Sequence, residues 1–212
     1  MNATTEAPPR RRLCEADRVR LLREAAEAVF LRDGYTAAHM DDVAQLAGMS
    51  KRTLYQLFPS KAALFEAVMQ DGLCPIAMDT ALESEPDLAA ALGGMLVALT
   101  RHLFEPRQVA IFRIVIAEVN RAPELADAFH QAGPGKGANA LERRLAAEMA
   151  EGRLCLTDPR EAARMLFGMA IGASHMFLLL GLQGPPTEAE MHRRAAEAVR
   201  VFLSGSRRAA AG

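Results

Sequence analysis

The chain has 212 residues, half of them hydrophobic, with a formal net charge of −1 and no tryptophan. That is enough apolar material for a real core, in one large domain or in a small one joined to a larger one. The near-zero charge does not by itself point to nucleic acid, so any such reading must rest on where the basic residues stand. Ala, Leu, Glu and Arg dominate, and no stretch sustains the alternation of a strand, so the expected fold is all-α. Three cysteines, Cys14, Cys74 and Cys155, form an odd set with no CxxC pair, which argues against a disulfide framework and against a zinc site. They read as buried or incidental, and no metal or cofactor is expected.

Residues 1–14 read as a disordered basic arm carrying Arg10, Arg11 and Arg12, either a generic phosphate binder or a solubilising tail. With no apolar run before Leu21, no secretory signal is expected. A helix over 16–32 follows, with apolar pairs Leu21/Leu22, Ala25/Ala26 and Val29/Phe30 repeating every four residues along one stripe. Gly34 stands where a helix-ending residue of positive φ belongs. A short helix over 40–46 has Asp41 and Asp42 in its first turn, where the dipole favours them. Gly48 breaks it. Ser50 then caps a second short helix over 51–58. Pro59 ends that helix, Ser60 caps a longer one through Met69, and Pro75 should kink or stop it.

Beyond Pro86 the sequence predicts helices over 87–104, 106–119, 123–131, 137–151, 159–182 and 187–204, each bounded by Pro, Gly or Asp. The stretch 165–182 is at the short limit for a membrane span and carries Ser174, His175 and three glycines, so a soluble, cytoplasmic protein is the expectation.

Residues 39–58 have the spacing of a helix-turn-helix. Val43, Ala44, Ala47, Gly48, Leu54 and Leu57 fall where that motif needs apolar, small, small, turn, apolar and apolar residues. Ala44 must be small where two helices cross, and Gly48 must tolerate positive φ. The second helix is polar outside and short enough to enter a major groove. On its own, "KRT" at 51–53 reads equally as a solvated helix start; the surrounding geometry favours DNA.

The run "GYTAAHMDDVAQLAGMSKRTLYQLFPSK" resembles the TetR family of transcriptional regulators over residues 16–70. The resemblance implies a three-helix DNA-binding domain at 15–70. In it Lys51, Arg52, Thr53 and Gln56 face the groove, and Tyr55 and Lys61 contact phosphates. His39 departs from the family's Thr or Ser, though a histidine can still donate to phosphate. Residues 71–212 resemble, more loosely, the C-terminal ligand-binding and dimerisation domain of the AefR-like branch.

In that larger domain the helices 159–182 and 187–204 suit a homodimer interface, with Gly168, Gly172, His175, Leu179, Ala195, Val199 and Phe202 as its residues. Phe104, Phe112, Met165, Met169, Met176 and Phe177 would line an apolar inducer pocket, or else form plain core. His175 reads as a dimer contact, a satisfied core histidine or a polar handle in the pocket. No Ser-His-Asp set, phosphate loop or metal-type His spacing points to an enzyme. The expected protein is a homodimeric regulator of a double-stranded operator, a repressor released by a small apolar inducer. The alternative is a DNA-binding protein of this type with a chromosome-organising role and no inducer.

Overall fold

The computed structural model describes residues 13–72, 80–132 and 134–206. The arm residues Arg10, Arg11 and Arg12, together with Cys74 and the expected break at Pro75, lie outside them. Every regular element among the described residues is a helix: α1 Glu15–Asp33, α2 Met40–Leu46, α3 Lys51–Leu57, α4 Lys61–Gly72, α5 Thr80–Glu83, α6 Leu88–Leu103, α7 Pro106–Glu118, α8 Glu124–Ala132, α9 Pro134–Ala150, α10 Pro159–Phe167, α11 Ala173–Leu179 and α12 Glu188–Ser206. The four-residue α5 has no counterpart in the sequence expectations.

Two cores organise these helices. The first gathers Leu22, Ala26, Val29 and Phe30 of α1 with Val43, Leu54, Leu64, Phe65 and Met69. It also takes in Ile111 and Val115 of α7 and Leu125, Ala128 and Ala132 of α8. The first four helices are therefore sealed by the C-terminal half of the chain. The second core unites α6, α9, α10 and α12 around Leu92, Met95, Leu96, Leu141, Leu145, Leu166, Val199 and Leu203. α6 and α7 meet at a bend of 70°, where Pro106 opens α7 and Phe104 caps α6. Phe112 of α7 spans both cores: its ring lies 4.6 Å from Phe129 and 4.7 Å from His175, both edge-on.

The expected single helix 159–182 has a different interior. Between α10 and α11, Gly168–Gly172 form a π-helical turn. The reason is in the spacing of Ala162, Leu166, Ala170, Ser174 and Leu178, all buried and four apart. On an α-helix of 3.6 residues per turn, a period of four drifts by about 40° per step. One wider turn offsets part of that drift and helps keep all five against the core. The stretch Pro159–Leu179 is long and apolar enough to cross a membrane by length and composition. Here one flank is packed into the second core and the other is open.

That geometry corrects two groups of expected residues. Met165, Met169, Met176 and Phe177 do not line an interior space: they are exposed, at 57%, 43%, 60% and 45%. Ala195 and Val199, expected at a dimer surface, are each 2% exposed and, with Phe202, belong to the second core of the protomer. The period-four stripe turned the methionines outward. On α12 these expected interface residues belong to the side packed on α6 and α10. Cys14 and Cys155 are exposed rather than buried.

Candidate nucleic-acid interface

α2 and α3 owe their relative setting to the turn between them. Ala47 caps the end of α2, Gly48 takes φ +66°, and the Met49 amide donates back to the Ala44 carbonyl at 2.9 Å. Ala44 is buried at that crossing. Ser50 starts α3: its hydroxyl accepts from the Thr53 amide at 3.1 Å and is 2.9 Å from the Thr53 hydroxyl. Leu54 is fully buried beneath α3, and Phe58 closes its end. With those two residues pointing inward, Lys51, Arg52, Tyr55 and Gln56 are left on the open face, with Thr53 half-buried beside them.

The charge on that face is partly shared. The Lys51 ammonium pairs with the Asp41 carboxylate of α2, both side chains being more than half exposed. His39 precedes α2 as its N-cap, exposed and without a side-chain cap hydrogen bond.

Lys61 is placed otherwise than a phosphate contact would be. Its ammonium donates to the carbonyls of Tyr35, Thr36 and Ala38, at 2.8, 3.0 and 3.1 Å, and lies 4.7 Å from the centre of the Tyr35 ring. Three protons meet three acceptors, all in the turn between α1 and α2. Sequence reasoning also missed Glu118, at the end of α7. Its two oxygens accept from the Tyr35 amide at 2.7 Å and the Thr36 amide at 2.5 Å. Burial raises the carboxyl's pKa, but these hydrogen bonds and the nearby Lys61 outweigh it and hold the group below its ordinary value. The Tyr35 hydroxyl donates to Glu124 of α8 at 3.2 Å. Burial first, and then Glu124, push the phenol well above its ordinary pKa. Arg107 of α7 adds a two-pronged pair with Glu27 of α1, both contacts at 2.5 Å. No local motif announces these partners, because each joins residues about eighty positions apart.

Of the residues expected around an inducer, Phe104 and Phe112 both pack against His175, with ring centroids 5.4 and 4.7 Å away. Burial lowers the His175 pKa, against an opposing hydrogen bond with the Leu103 backbone. Its Nε2 is buried without a hydrogen-bond partner, as is the Ser174 hydroxyl. No three His, Cys, Asp or Glu side chains assemble as a metal-holding group among the described residues.

Comparison with known proteins decides the family. The profile of the AefR-like transcriptional repressor C-terminal domain matches residues 90–205, more than half of the chain. That of the bacterial regulatory proteins of the tetR family matches residues 22–68. The chain belongs to the TetR family. Among TetR-family structures, the flavonoid-responsive regulator FrrA is 28% identical, with a TM-score of 0.78 over 92% of this chain and all of that one. A TetR-family transcriptional regulator from Mesorhizobium loti is 25% identical, with the same TM-score over 93% of this chain and all of that one. The HTH-type transcriptional activator FasR of Mycolicibacterium smegmatis is 54% identical over 46 residues, which are 22% of this chain and 21% of FasR. This TetR-family chain thus matches only about a fifth of that relative's length. It is a DNA-binding transcriptional regulator with a helix-turn-helix at α2–α3.

Proposed function

We propose that the protein is a cytoplasmic homodimeric repressor, a binding protein rather than an enzyme, released from its operator by a small, mostly apolar inducer. The observation that carries the DNA half is the open face of α3. Lys51, Arg52, Thr53 and Gln56 present donors that suit guanine and adenine edges in a major groove, and Tyr55 stands beside them for a phosphate. His39, exposed at the start of α2, can donate to a phosphate on the flank. The lysine expected for that purpose, Lys61, instead shapes the turn that leads into α2.

For the inducer, His175 against the rings of Phe104 and Phe112 is the supporting feature. It sets a buried nitrogen with no hydrogen-bond partner beside two aromatic rings, so a mostly apolar molecule with one polar group matches it chemically. FrrA, at 28% identity, is a flavonoid-responsive regulator, which makes flavonoids the first probes. For the dimer, the support is the exposed apolar stripe of α10, the π-turn and α11, which needs a cover.

Selection from a random duplex pool tests the reading. Enrichment of a near-palindromic site, with half-sites about 34–36 Å apart, is the expected result. Flavonoids should then raise the melting temperature and weaken operator binding reciprocally. Selective binding with no response to any apolar compound would favour the chromosome-organising alternative, and no enrichment at all would refute the DNA reading.

A further inference from the structure

The turn Gly34–Ala38 is gripped from two sides by opposite charges. On one side the Glu118 carboxylate takes the amides of Tyr35 and Thr36. On the other the Lys61 ammonium takes the carbonyls of Tyr35, Thr36 and Ala38. Amide donors and carbonyl acceptors of one short loop are thus sorted towards the charge that suits each. Gly34 makes the fit possible. It has φ +78°, and a Cβ there would run into the Glu118 Oε1.

The two jaws belong to different parts of the fold. Lys61 opens α4, inside the DNA-binding helices, whereas Glu118 is the last residue of α7. α7 is the helix whose Phe112 touches His175. The gripped turn runs directly into His39, the N-cap of α2. A shift or rotation of α7 therefore has a polar handle on the segment that sets the helix-turn-helix.

We infer that Glu118 and Lys61 are positioning residues for DNA binding, a two-sided clamp through which α7 fixes the orientation of α2 and α3. This rests on the reading of α2–α3 as the DNA-contacting unit. Neither side chain touches DNA through its charge in this arrangement. The clamp instead converts the position of α7 into the presentation of α3.

The test uses the full-length protein, its selected operator duplex and a scrambled duplex, over a series of salt concentrations. Glu118→Gln keeps the shape but halves the acceptor set, and Lys61→Met keeps the stem but removes the donor. Each should weaken operator binding by about tenfold, the loss expected when only about one molecule in ten holds the turn in the binding-competent setting. Neither should alter the slope of affinity against salt, because no phosphate contact is lost. The double variant should be little worse than either single one, since both act through one turn. Amide hydrogen exchange at Tyr35 and Thr36 should quicken in Glu118→Gln well beyond any change at core amides of α1 such as those of Val29 and Phe30. A salt slope flattened by about one unit in Lys61→Met would place the ammonium on a phosphate and overturn the clamp. Unchanged exchange at Tyr35 and Thr36 would overturn it as well. Because exchange is read without DNA, a protein that binds no duplex selectively would refute the functional reading while leaving the grip on the turn separately measurable.

Discussion

Arg52 and Lys51 occupy adjacent positions at the start of α3, yet their surroundings give them different work. Lys51 is paired with Asp41 in the free protein, so its contribution to DNA binding is offset by the loss or sharing of that pair. Both partners are exposed, and such a pair contributes little to stability, so it can be given up for a phosphate or a base at small cost. Arg52 offers a fork of donors suited to guanine. Arg52→Ala should cost roughly 1–3 kcal/mol on the preferred site and relax its sequence preference. Site selection with the variant checks this, and an unchanged preference would remove Arg52 from base reading.

His175 yields a prediction that does not need the inducer. Burial lowers its pKa, so the folded protein holds the ring neutral where the unfolded chain would protonate it. His102 on α6 is shifted the same way, again by burial, with Glu105 opposing. As pH falls below the ordinary histidine value of about 6.5, the unfolded state takes up protons first and stability declines until the folded pKa is reached. Above that value the contribution is fully present. Melting temperature should therefore drop between pH 7.5 and pH 5, and the drop should be smaller in His175→Gln. An equal drop in both proteins would assign the effect to His102 and the carboxylates.

At the scale of elements, the two positive-φ glycines of the DNA-binding helices separate conformational from steric effects. Around Gly48 a Cβ would meet nothing, so Gly48→Ala suffers only the left-handed backbone, about 1–2 kcal/mol. At Gly34 the backbone has φ +78° and ψ 173°, a region essentially reserved for glycine, so a side chain meets a larger backbone penalty and also collides with a carboxylate held by two amides. Thermal denaturation should show Gly34→Ala to be the more damaging. Adding Glu118→Ala should recover part of the loss at Gly34 and none at Gly48.

How far these elements were legible follows from the range of the interactions that shape them. The bounds of α1, α2 and α3 are set by local chemistry: Gly34, Ser50 and Gly48 declare caps and turns within a few residues. The fold class and the helix-turn-helix could therefore be read. The faces of α10 and α11 could not, because a straight 3.6-residue period does not carry through the π turn Gly168–Gly172. The period of four from Ala162 to Leu178 was the available signal for the wider turn. Glu118, Glu124 and Arg107 were out of reach for a different reason. A carboxylate near a helix end looks the same whether it faces water or the amides of a turn eighty residues away.

At the scale of the whole molecule, that rotation of α10 and α11 changes which surface a second protomer would cover. Met165, Met169, Met176, Phe177 and Leu180 are all more than two-fifths exposed on one flank, with Gly168 and Gly172 between them. Val201 of α12 is exposed to a similar degree. Large apolar side chains gathered in this way mark an interaction surface in a soluble protein. In the proposed homodimer, this flank is the face a second copy would cover. Met176→Glu combined with Phe177→Glu should give a folded monomer, because both side chains point away from the protomer's core. Its melting temperature should stay close to the parent's apart from the lost association, and its operator affinity should collapse, since a single α3 holds only one half-site. Phe202→Glu makes the contrasting control. That ring is 9% exposed within the second core, so a charge there should unfold the C-terminal helices rather than separate two copies. Light scattering with circular dichroism distinguishes the results. A dimer that survives Met176→Glu with Phe177→Glu, or a folded monomer from Phe202→Glu, would move the interface back onto α12.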